Sequence, residues 1–209
     1  FSREFYRAVA SRLEEGGLFL QWLQAYEVHA GSIRSVYATL GAELEAVETW
    51  QTLPGDLMLV GSRAPLRHDL ARLGARTREE PFRTALRDVW RTDRLEGLFA
   101  RFVAGPELAR RLAALSPPLN TDDRNALEFG FARSLGVDGL LDVESVRQAA
   151  AEAGADHPAF VGGTLDLARL LDERLAVYSA AGEAPPSPGL AAGSLARRAD
   201  AHALWTRRS

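Results

Sequence analysis

The sequence predicts an α/β fold: a small sheet closed by an antiparallel hairpin and followed by an all-α region. Three observations predict it. An amphipathic stretch ends at Gly16-Gly17 and runs into a short apolar segment, Leu18 to Leu23. The chain then reverses at Pro54-Gly55-Asp56 between two strand-like runs. From Arg63 onward the apolar spacing becomes helical.

Ser2 is positioned to cap a first helix carrying Phe5, Val9 and Leu13 on one side, and Gly16-Gly17 supplies the left-handed stop. The nearly continuous apolar run that follows reads as a central strand buried on both faces. A second helix is expected over Ser32 to Leu40, with Ile33, Val36, Tyr37 and Leu40 on one face. Leu44 to Thr52 alternates as a strand, with Leu44, Ala46, Glu48 and Trp50 to one side and Val47 and Thr49 to the other. After the turn, Leu57 to Val60 makes the returning strand, closed by Gly61-Ser62, so the last two strands form a hairpin.

The Arg-rich region beyond suggests short helices marked by Leu66, Leu70 and Leu73, by Phe82, Leu86, Val89 and Trp90, and by Leu95, Leu98, Phe99 and Phe102. Pro106 belongs in the first turn of another, which Pro117-Pro118 ends. A polar loop from Leu119 to Arg124 follows and opens onto Leu127-Glu128-Phe129. Later helices are expected with Val143, Val146 and Ala150 on one face, then with Leu165, Leu167, Leu170, Leu171, Leu175 and Tyr178. Ala184 to Gly189 reads as a linker before a last helix ending in Trp205. The expected division is 1–62, 63–135 and 136–209.

Composition narrows the function classes. With 46% hydrophobic and 25% charged residues the chain has a globular balance, and a net charge of -3 gives no footprint for nucleic acid. There is no cysteine, which removes disulfides and thiolate metal sites. No apolar run reaches the roughly 18–20 residues of a membrane span. All basic residues are Arg, a bias of GC-rich bacterial coding. The four histidines, His29, His68, His157 and His202, are scattered without metal-ligand spacing.

Three segments resemble a known family, and one of them, Thr49-Trp50 with Gly55 to Ser62, resembles the closing hairpin of its fold. Phe1-Ser2-Arg3-Glu4-Phe5-Tyr6, together with Gly16-Gly17-Leu18-Phe19-Leu20-Gln21-Trp22, resembles the spermidine synthase family. Glu15 stands where that pattern has proline. Asn120-Thr121-Asp122-Asp123-Arg124 followed by Leu127-Glu128-Phe129 resembles a signature of a bacterial spermidine-synthase-like branch, with Asn125 in place of its proline. Members of that branch are often fused to membrane-spanning or tetratricopeptide segments. The resemblance covers about residues 1–133 and implies a partial Rossmann-like, methyltransferase-type sheet. It also implies that the elements binding decarboxylated S-adenosylmethionine, and the acidic catalytic loop, would precede Phe1. The chain is accordingly expected to be the C-terminal portion of a transferase, inactive alone, with no cofactor held by its own residues and a cytoplasmic location. A non-catalytic helical interaction module is the other reading.

Five residues are candidates for amine contact under this resemblance. Gln21 and Trp22 stand at the end of the central strand, where ligands of open α/β sheets collect; core packing is the alternative for Trp22. Trp50 is expected to wall the pocket or to pack on the sheet. Asp122 and Asp123 form a carboxylate pair suited to a cationic amine, or an Asx turn. Asp56 flanks the hairpin turn, where capping is the simpler role. A strand without its preceding neighbours would leave an open edge and an uncovered apolar face, so self-association or contact with a preceding half is expected.

Overall fold

A computed structural model describes residues 1–24, 30–53, 55–115, 117–125 and 143–180. The described residues form a mixed α/β structure with eight helices, a four-stranded antiparallel sheet and a small parallel pair of strands. They fall into two compact units interleaved in sequence: residues 1–66 with 103–157, and residues 67–102 with 158–209.

In the first unit, helix α1 (Arg3–Arg12) begins at Ser2, whose hydroxyl accepts the Phe5 N–H, so the expected cap is present. Strand β1 (Phe19–Gln24) follows, then helix α2 (Ala30–Gly41), strand β2 (Ala46–Leu53) and strand β3 (Asp56–Ser62). Gly55, at φ 74°, takes the left-handed turn position between the two hairpin strands. Helix α2 buries the expected face, with Val36, Tyr37 and Leu40 at 0% exposure.

Strand order is β1-β3-β2-β5, where β5 is Phe102–Ala104. Both β1 and β2 run antiparallel to β3, and therefore parallel to each other, with α2 as their crossover. Helix α6 (Pro106–Ala114) starts with proline in its first turn, where no intrahelical N–H is needed. It adds Leu108 and Ala109 to the core, and helix α7 (Val143–Glu152) adds Val143, Val146 and Ala150, the face its periodicity marks.

The second unit holds β4 (His68–Asp69), α3 (Leu70–Arg76), α4 (Phe82–Val89), α5 (Leu95–Phe99), β6 (Phe160–Val161) and α8 (Leu167–Ala180). Asp69 caps α3 by accepting the Arg72 N–H at 2.9 Å. β4 and β6 pair in parallel, and His68, Phe99 and Phe160 meet edge to face, with Phe99 and Phe160 centroids 4.8 Å apart. His68 is thus an aromatic packing residue.

Three expectations are corrected. The region after Ser62 is not all-α: β4, β5 and β6 are two or three residues long, too short to show a period of two. Strand β1 is not buried on both faces. Leu20 and Trp22 are 59% and 49% exposed, because α1 and α2 cover only the face carrying Phe19 and Leu23. The buried side chain of α1 is Tyr6, whereas Phe5 is 47% exposed. The expected linker at 184–189, the terminal helix, residues 127–129, His29 and His202 lie outside the described residues.

Candidate functional site

Alternation along the strands sorts the candidates by face. Phe19, Gln21 and Leu23 share the helix-covered face with Leu57, Leu59 and Gly61 of β3 and with Val47, Thr49 and Gln51 of β2. On that face Tyr37 and Thr49 join their hydroxyls at 2.6 Å in full burial. Gln51 accepts from Arg147 of α7 at 3.0 Å. Burial of Tyr37 pushes its phenol up, well above the ordinary 10.0, and the Thr49 hydrogen bond opposes this in part.

The other face carries Leu20, Trp22 and Gln24 of β1, Asp56, Met58 and Val60 of β3, and Glu48 and Trp50 of β2. Trp22 and Trp50 both pair with Met58, so the two indoles flank one methionine in a single row. In the next row Gln24 and Leu53 stand on either side of Asp56. Trp50 donates Nε1–H to Glu48 at 3.1 Å, which fixes one indole against a carboxylate that is 1% exposed. Among the described residues nothing donates a hydrogen bond to the buried Oδ1 of Asp56. This row lies where β1 and β2 end and β3 begins.

The sequence candidates therefore separate. Trp22 and Trp50 share one face, on either side of Met58. Gln21 does not join them: it lies on the helix-covered face and bonds its own strand, donating to the Trp22 carbonyl at 2.9 Å. Asp122 and Asp123 stand elsewhere, exposed in a turn closed by the Thr121–Arg124 bridge. Asp56, for which turn capping is the simpler sequence reading, takes the acidic place beside the tryptophans. Its signal in the sequence is its position two residues before Met58, one strand period from the Trp row.

The Leu119–Arg124 loop has a different task. The Arg3 N–H donates to the Asn120 carbonyl at 2.8 Å, and the Asn120 side-chain amide donates to the Phe1 carbonyl at 3.4 Å. The Asp122 N–H donates to Glu4 at 3.1 Å. Asn120, 2% exposed, also donates its own N–H to Thr39 of α2, and Ser35 donates to the Pro118 carbonyl. Glu43 beyond α2 accepts from Arg3 at 2.6 Å and from Arg7, and these two guanidinium bonds hold its carboxyl below the usual value.

Among the described residues no group of His, Cys, Asp and Glu has the arrangement to hold a metal ion, and no helix is long and apolar enough to cross a membrane. The chain matches no known family model, no curated protein and no solved structure.

Proposed function

We propose that this chain is the C-terminal part of a spermidine-synthase-like transferase, contributing one wall of an amine pocket and inactive by itself. The observation that carries the reading is the docking of two of the family-like segments on each other. Phe1–Tyr6 and Asn120–Arg124, as far apart as 119 residues, are joined by three hydrogen bonds. Segments with a shared origin in one domain would be held together in this way. The strand order adds support. Two parallel strands with a helical crossover and an antiparallel strand inserted between them fit the closing end of a methyltransferase-type sheet.

The amine wall consists of Trp22, Trp50 and Asp56. An ammonium group is attracted to indole faces, and the part-buried Asp56 carboxyl on the same face would supply the opposite charge. Such an arrangement binds and orients an amine. The electrophile, decarboxylated S-adenosylmethionine, and the base would come from the preceding half of the longer protein, located in the cytoplasm. Proximity of the two reactants is the larger part of such a transfer, so one wall alone is not expected to turn over substrate.

Tryptophan fluorescence of the chain titrated with spermidine tests the wall. Weak saturable binding, with a Kd on the order of 1 mM, is expected and should be lost in Asp56→Asn. Binding unaffected by that substitution would remove Asp56 from the site.

A further inference from the structure

The two indoles of the open face are not held alike. Trp50 is part-buried and donates Nε1–H to Glu48 at 3.1 Å, whereas Trp22 is 49% exposed. The bond follows from strand geometry. Residues two apart on one strand share a face with Cα atoms about 6.6 Å apart, a gap that an indole and a glutamate side chain close between them. Glu48-Thr49-Trp50 is thus a local motif of β2: its outer members meet on one face, while Thr49 bonds Tyr37 on the other.

Glu48 is itself out of reach of a ligand, at 1% exposure. It pairs with Val60, four residues along β3 from Asp56, which places the two acidic positions about 13 Å apart along the sheet. Any influence on a bound amine therefore passes through the Trp50 ring. A hydrogen-bonded indole has already given up the rotamer freedom that a loose one would lose on binding. The bond also points the positive N–H edge of the ring at Glu48 and away from an incoming cation. A carboxylate accepting that N–H polarises the ring and makes its face more attractive to a cation. Burying a carboxylate is costly, and packing alone would be served by an apolar side chain.

We propose that Glu48 is a positioning residue of the amine wall, presetting the Trp50 indole as a cation-binding face without touching the ligand. This role rests on the reading of Trp22, Trp50 and Asp56 as that wall.

The test compares Glu48→Gln, which keeps an acceptor in place, with Glu48→Leu, which has none. The chain has four tryptophans, so Trp50→Phe assigns the relevant indole N–H in a nitrogen–proton spectrum. In Glu48→Gln that N–H should stay protected from solvent exchange, and spermidine should bind within about threefold of the unsubstituted chain. In Glu48→Leu the protection should vanish and affinity should fall about tenfold, the size of a well-placed cation–π contact. In a Trp50→Phe background Glu48→Leu should weaken binding no further, because the effect passes through the indole. Far-ultraviolet circular dichroism should be unchanged in each variant, and the Glu48→Gln comparison stands on its own where Glu48→Leu alters the fold.

Three results would overturn the proposal: Glu48→Leu binding spermidine as tightly as the unsubstituted chain, Glu48→Leu still weakening binding without Trp50, or Glu48→Gln losing affinity while its indole stays protected. Absence of spermidine binding with Glu48 intact would overturn the amine wall itself, and the positioning role with it.

Discussion

The Arg3 N–H is bonded to the Asn120 carbonyl at 2.8 Å, tying the start of α1 to a loop more than half the chain away. Asn120 in turn donates its N–H to the Thr39 hydroxyl at 3.0 Å, and Thr39 donates to the Ser35 carbonyl one turn back along α2. Three chain segments thereby share one buried polar junction. In low-dielectric surroundings such a junction stabilises only while each member is satisfied.

Thr39→Val keeps the side-chain shape and removes the acceptor, leaving the buried Asn120 N–H without its partner. The expected loss is about 1–3 kcal/mol in chemical denaturation. An unchanged midpoint would mean that the loop is not held through α2.

Tyr37 gives the alkaline limb of stability. Its folded-state value lies above the unfolded 10.0, so the neutral phenol favours the native state. The contribution is intact below pH 10 and is lost as pH rises toward the raised folded value. Tyr6 is raised by burial as well and adds to the same limb. Thermal midpoints measured from pH 8 upward should fall beyond pH 10. In Tyr37→Phe the fall should be shallower, alongside a loss of roughly 1 kcal/mol at pH 8 from the missing bond to Thr49.

Glu43 acts with the opposite sign. Its carboxyl is held low by Arg3 first and Arg7 second, so its contribution is present above the unfolded 4.5 and disappears as pH falls through the folded value. Glu43→Gln should flatten the acid limb below pH 4.5. The change should be modest and salt-sensitive, because both arginines are substantially exposed.

Gly61 sits between Phe19 and Val47 in the register, and a Cβ there would run into the side chain of Leu44, which is 2% exposed. Gly61→Ala forces that leucine to repack in a filled core. A destabilisation of about 1–3 kcal/mol is expected by denaturant titration.

What the sequence made legible was local. The Ser2 cap, the buried face of α2 and the turn at Gly55 follow from spacing and backbone preference within a few residues. The open face of β1 was not legible, because an apolar run looks the same whether a second layer covers it or not. Tyr6 could not be separated from Phe5 by periodicity, since adjacent helical positions differ by only 100° and tertiary packing decides between them. At the candidate site, the pairing of Trp22 with Trp50 across Met58 needed the register of both strands with β3. The turn role of Asp122 and Asp123 was one of two readings open for an Asp-Asp pair, and the bonds of their loop to α1 and α2 are tertiary.

Calorimetry on the longer protein that carries this sequence tests the central claim most directly, using a polyamine and an S-adenosyl nucleotide as separate titrants. The account predicts saturable heats for both, with the polyamine signal reduced at least tenfold by Asp56→Asn and the nucleotide signal unchanged. Absence of heat with either ligand would contradict it.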